Sequence, residues 1–215
     1  AMALDEANIP TAVFHNLVKN VNENLPTFHR YLNLRKRMMG VDSLHYYDLY
    51  APLVDKVDLA YTVEESVDHI LKSLEPLGKD YVDVSNRAFT ERWIDMNPNE
   101  GKRSGAYSNG SAYDVHPYIL MNYNGKYNDM STLTHELGHT MHSYLTNKKQ
   151  HFANSNYSIF VAEVASTLNE ELLNDYMLKQ IKDDQTRLAI LGNYLEGAKG
   201  TLFRQTQFAE FEDMI

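Results

Sequence analysis

The sequence predicts a mainly α-helical, multi-helix fold with one small β element, and three observations carry that prediction. Apolar residues recur at three- and four-residue intervals over most of the 215 residues, the spacing that lines one face of a helix. A helix-starting pattern, Thr62-Val63-Glu64-Glu65, puts a carboxylate three residues after a hydroxyl, so that each can satisfy a backbone N–H near the other. Gly101, Gly105, Gly110 and Gly125 crowd into a single stretch, 99–128, where a helix would lose stability at every one of them.

Taken in order, 11–39 carries Val13, Leu17 and Val21, then Phe28 and Leu32, with Pro26 breaking the stretch into two helices. Residues 41–61 are rich in Tyr, Asp and Pro and predict a connecting loop. The Thr62 pattern starts a helix to about Leu77 with Gly78 as its cap, and another helix is expected over 80–95, before Asn97-Pro98. The run Tyr118-Ile119-Leu120-Met121-Asn122-Tyr123 predicts a β-hairpin or sheet edge near 103–125, closed by Asn124-Gly125. Asp129 is expected to cap a helix through about Leu145, followed by a helix over 157–180. A last helical stretch starts near Asp183-Asp184, loosened by Gly192, Gly197 and Gly200. With no repeat or low-complexity linker, a single domain over 1–215 is expected.

Composition narrows the chemistry. Twenty Lys and Arg against 29 Asp and Glu give a formal charge of −9, which argues against a nucleic-acid partner or an anionic membrane surface. The absence of Cys excludes disulfides, thiolate metal sites and Cys nucleophiles, so any metal must be held by His, Asp or Glu. No apolar run reaches the roughly 18 residues of a membrane span, and no signal-peptide pattern opens the chain. A cytoplasmic protein is the resulting expectation. Two Asn-x-Ser sequons, at Asn109 and Asn156, fit chance matches in such a protein.

The chemistry is concentrated in His135-Glu136-Leu137-Gly138-His139. Helix positions four apart differ by about 40° in direction and about 6 Å in rise. Both imidazoles can therefore reach one cation, at the roughly 2.0–2.1 Å of a Zn–N bond. Glu136 lies about 100° around the helix, better placed to take a proton from an attacking water than to bind the ion. This is the H-E-x-x-H arrangement of zinc peptidases. The third ligand is not the His of the metzincin pattern, because His142 and Leu145 stand where that pattern puts Gly and His. His142 shares the face of His135 and His139 and is expected on the pocket wall or behind the ligands as their outer partner, since three ligands from one straight helix cannot surround a tetrahedral ion. Glu163, Glu170 and Glu171 lie on the next predicted helix. Glu163 stands between Ala162 and Ala165, small neighbours that let two helix backbones approach. Glu170, about 10 Å further along nearly the same face, suits a carboxylate that accepts the outer N–H of a ligand His.

His135-Glu136-Leu137-Gly138-His139 followed by Glu163-Val164-Ala165-Ser166 resembles the thimet oligopeptidase/oligoendopeptidase F family of zinc metallopeptidases. The likeness is closer to oligoendopeptidase F, through Lys102-Arg103-Ser104-Gly105-Ala106-Tyr107-Ser108 and His139-Thr140-Met141-His142-Ser143-Tyr144. The resemblance implies a zincin-like, almost wholly helical catalytic domain that cleaves short unstructured peptides in the cytoplasm. It makes His135, His139 and Glu163 the ligands of one Zn2+ and Glu136 the catalytic base, and it has Gly105, Ala106 and Tyr107 offer backbone hydrogen bonds to an extended substrate. The family carries a later His with paired Tyr residues, which this chain lacks after Glu163; Ala1-Met2 also resembles a tag scar, and Phe208–Ile215 stops without a helix-ending signal. A fragment of the catalytic domain, weakly active or inactive alone, is therefore expected. Two other readings stand beside it. A related gluzincin exopeptidase of carboxypeptidase type would use Arg103 as its anchor, and a non-catalytic helical module would hold zinc structurally. The oligomeric state is unknown from sequence.

Overall fold

The computed structural model describes residues 4, 6–54 and 59–215; Ala1-Met2 and the 55–58 part of the expected loop lie outside the described residues. Helix α1 (Thr11–Glu23) is followed by α2 (Leu25–Met39) and a short 3-10 turn, Tyr46–Tyr50. Then come α3 (Val63–Ser73), α4 (Lys79–Thr90), β1 (Ile94–Asp95), β2 (Tyr107–Asn109) and β3 (Tyr118–Leu120). The long α5 (Tyr127–Lys149) and α6 (Ala162–Gln180) precede α7 (Asp184–Ala198), a π-helical segment Lys199–Arg204, and α8 (Gln205–Met214). The mainly helical class with a small β element is thus the observed one. The contacts divide these elements into two compact units, Asp58–Lys182 and Ala1–Val57 with Asp183–Ile215.

Several boundaries depart from the sequence expectation for identifiable reasons. The helix begun at Thr62 ends at Ser73, and Glu75–Leu77 tightens into a 3-10 turn carrying Pro76. Gly78, at φ 91°, leads into α4 rather than capping α3. Helix α4 stops at Thr90 because Arg92 turns left-handed, φ 64°, and the next residues join the sheet. The β element is a three-stranded sheet of order β1-β3-β2, with β1 parallel and β2 antiparallel to β3. Gly105, φ 88°, and Ala106 precede β2, so of the three residues expected to offer backbone hydrogen bonds only Tyr107 lies in the strand. Asn124-Gly125 does not close the hairpin. It turns the chain into α5, where Ala60 bridges to Lys126 and the Gly125 carbonyl accepts from the Tyr61 N–H at 2.8 Å. Asp129 sits within the first turn of α5, its Oδ2 accepting from the N–H groups of Asn124 and Lys126 at 3.0 Å each. An Asp can cap from either place, and the turn before it decides which.

At Thr62 the expected reciprocal bonds are present: Glu65 N–H donates to Thr62 Oγ1 at 3.1 Å, and Thr62 N–H to Glu65 Oε2 at 2.8 Å. Thr62→Ala should therefore lower stability by about 1 kcal/mol, seen as a lower urea midpoint at unchanged slope.

The core of the Asp58–Lys182 unit forms around α5. Its Met130, Leu133, Leu137 and Met141 are buried, as are Leu173 and Met177 of α6, which packs on α5, and Ile70 of α3, which packs on both. Two part-buried tyrosines bond asparagines of α6: Tyr127 of α5 donates to Asn174 Oδ1 at 2.7 Å and Tyr81 of α4 to Asn169 Oδ1 at 3.0 Å. Helices α5 and α6 come close together at Gly138. A Cβ there would lie 2.6 Å from Ser166 Cα and 2.7 Å from the Ala165 carbonyl oxygen.

In the other unit, the buried Arg35 organises the Tyr46–Tyr50 turn. Its guanidinium donates to the Asp48 carbonyl at 2.8 and 3.0 Å and to Ala51, and pairs with Glu196 at 2.9 Å. Lys199, at the start of the π-helical segment, donates to the Leu49 carbonyl at 2.9 Å. No described helix is long and apolar enough to cross a membrane.

Candidate metal centre

The 3.6-residue period of α5 puts His135 and His139 on one side, and the close approach at Gly138 brings the first turn of α6 opposite them. His135 Nε2 and His139 Nε2 lie 3.1 Å apart, and Glu163 Oε2 lies 3.2 Å from the first and 3.3 Å from the second. The corners of such a triangle stand under about 2 Å from its centre, close to the reach of zinc–nitrogen and zinc–carboxylate bonds. His135 Nδ1 donates to Glu170 Oε1, which turns Nε2 toward the other two donor atoms. The Ala162 backbone carbonyl accepts from His139. Two imidazole nitrogens and a carboxylate oxygen this close repel unless a proton or a cation stands among them. The donor set fits a divalent cation.

The electrostatics agree with that picture. Burial works against a charged His135, but the hydrogen bond and charge of Glu170, with Glu136 and Glu163, outweigh it and raise the His135 pKa. Burial lowers the His139 pKa, opposed by Glu163 and reinforced by His135. Glu163 is the outward arm, its side chain 63% exposed against 26% for His135 and 18% for His139.

Glu136 projects elsewhere. It is 7% exposed and accepts a backbone hydrogen bond from Ser108 of β2. Burial raises its pKa, partly countered by His135 and the Ser108 N–H and assisted by Glu163 and Glu170. Strand β2 is held against α5 by Ser108 Oγ and Thr140 Oγ1, 2.8 Å apart, and by Asn147 Nδ2 donating to the Gly110 carbonyl at 3.1 Å. Gly110 is needed there, since a Cβ would fall 2.2 Å from Ser143 Cβ. Tyr107 lies on the sheet edge formed by β2. The Gly105 and Arg103 carbonyls both accept from Asn122 Nδ2, at 2.8 and 2.9 Å. His142 is not in the donor group; its ring stacks on Tyr157 at 3.7 Å, and both line a cavity of about 730 Å³ with Tyr81, Leu145 and Leu168.

The profile of peptidase family M3 matches residues 1–215. The chain belongs to peptidase family M3. Oligopeptidase PepF of Bacillus subtilis (strain 168) is 51% identical over 213 residues, 99% of this chain and 32% of its own length. The chain spans about a third of the length of the curated relatives it matches. Among solved structures, a Chlamydophila abortus protein provisionally assigned as a peptidase matches with TM-score 0.88 and 45% identity, over 98% of this chain and 35% of that one. Oligoendopeptidase-F from Enterococcus faecium matches with TM-score 0.66 and 34% identity, over 99% and 30%. The M3 fold accounts for the helical architecture around α5 and α6.

Three residues of the site carry no assignment from sequence alone. Gly138 sets the helix separation, Ser108 meets Glu136, and Ser166 meets Glu163. A glycine inside an otherwise uninterrupted helix signals the first, and the three-residue spacing from Glu163 signals the last. The Ser108 contact joins residues 28 positions apart and has no local signature.

Proposed function

We propose that this chain carries the metal-binding and proton-transfer part of a zinc-dependent endopeptidase acting on short, unstructured peptides. The observation that carries the reading is the convergence of His135 Nε2, His139 Nε2 and Glu163 Oε2 on one point. One Zn2+ held by these three would supply Lewis-acid chemistry, polarising a scissile carbonyl and acidifying a water. Glu170 orients the His135 ring through Nδ1, the outer partner that keeps the inner nitrogen free. Glu136 takes the proton of the attacking water and returns it to the leaving amine; its raised pKa makes it a stronger base than an ordinary carboxylate. Gly105, Ala106 and Tyr107, at and before the β2 edge, align an extended substrate through their backbone. Oligopeptidase PepF and oligoendopeptidase-F are peptidases by name among the relatives, which supports peptides as the substrate class.

The test begins with metal. Equilibrium dialysis should give one zinc per chain, lost in His135→Ala and His139→Ala. Zinc at about 100 times its Kd should stabilise the fold by about 2.7 kcal/mol, read as a raised Tm that EDTA reverses. In the intact peptidase, a peptide blocked at both termini should be cut internally. Cleavage only of unblocked peptides would assign an exopeptidase, and a chain that takes up no zinc would remove the reading.

A further inference from the structure

We propose that Ser166 is a positioning residue for the third metal-binding arm, its hydroxyl holding Glu163 Oε2 against the two imidazoles. The inference rests on the metal-binding reading above and goes beyond it by naming what fixes the exposed ligand. Glu163 stands in the first turn of α6 with its side chain largely in solvent, where a flexible carboxylate would sample several rotamers. Yet the oxygen that faces His135 and His139 is the one that accepts from Ser166 Oγ, at 2.7 Å. A hydroxyl bonded to a carboxylate is a charge-assisted contact, stronger than one between neutral groups.

A local explanation competes. Helical serines commonly bond the carbonyl three or four residues back, and Ser166 Oγ is 3.0 Å from the Glu163 carbonyl. That carbonyl, however, already accepts from Thr167 Oγ1 at 2.6 Å, and the carboxylate contact is the shorter of the two open to Ser166. Packing does not require the hydroxyl either. Ser166 is fully buried where Gly138 brings the helices together, and alanine would fill that place with a better helix former. The hydroxyl is surplus to packing and directed at the ligand.

The experiment compares the wild-type chain with Ser166→Ala, using Ser73→Ala as a control that removes another buried hydroxyl, one bonded to its own helix at Ile70. Zinc affinity is read by competition with a chromophoric chelator, the fold by circular dichroism, and the ligand set by the visible absorption of the Co2+ form. Loss of such an outer partner typically weakens metal binding about 10–100-fold. Ser166→Ala should show that weakening together with altered Co2+ bands, at wild-type helix content, while Ser73→Ala keeps wild-type affinity and bands. Wild-type affinity and an unchanged cobalt spectrum in Ser166→Ala would overturn the proposal. Equal weakening in both variants would also overturn it, by assigning the effect to general loosening. A wild-type chain that binds neither ion would instead refute the metal centre itself, a separate failure.

Discussion

Replacing Glu136 by Gln in the intact peptidase should lower kcat/KM for an internally quenched peptide by about 10²–10⁴ while zinc content stays at the wild-type level. The two side chains have the same shape, and the amide oxygen can still accept the Ser108 N–H that Glu136 now receives. The carboxylate is 7% exposed, so removing its charge relieves a desolvation cost and leaves the fold intact. What disappears is the ability to take a proton. The wild type should also lose activity as pH falls through the Glu136 pKa, which burial raises, because only the ionised form is a base; the variant should lack this acid limb. Turnover near wild type in Glu136→Gln would take the residue out of the proton-transfer role.

Gly138→Ala should damage both the fold and the metal centre. The added methyl would stand 2.6 Å from Ser166 Cα and 2.7 Å from the Ala165 carbonyl. Both obstacles are backbone, so no rotamer change can clear them and the helices must separate. Overpacking of this kind costs about 1–3 kcal/mol, a fall in Tm of roughly 3–10 °C for a chain of this size. Because Glu163 rides on α6 while both imidazoles ride on α5, the same displacement pulls the third donor away. Zinc affinity should therefore fall more than the lost stability alone implies, measured by chelator competition at a temperature where the variant is folded. A variant that melts and binds zinc like the wild type would show that the contact can relax.

What the sequence discloses follows the range of the interaction involved. The starts of α3 and α7 were legible because the groups that satisfy their free N–H groups sit three residues away, Thr62 with Glu65 and Asp183 with Thr186. The pairing of His135 with His139 was legible for the same reason, as a consequence of helix pitch. Strand β1 was not, since two residues carry no period, and its pairing with Ile119 and Leu120 lies 25 positions on. Asp129 caps α5 from inside its first turn and not from ahead of it, because its partners, the Asn124 and Lys126 N–H groups, lie in the turn that pairs with Tyr61. The flank of small residues around Glu163 hinted at a close helix pair, but that Gly138 is the point of contact needed the three-dimensional crossing. Ser108 meeting Glu136 is a wholly non-local event, created when the sheet settles on α5.

The brevity of β2 has one further consequence. Three residues, preceded by the bend at Gly105 and followed at once by Gly110 lodged against Ser143, leave only a small border of unsatisfied main-chain groups. Long borders of that sort invite neighbouring molecules to stack into fibrils. A border this short offers few main-chain donors and acceptors with which a second copy could pair.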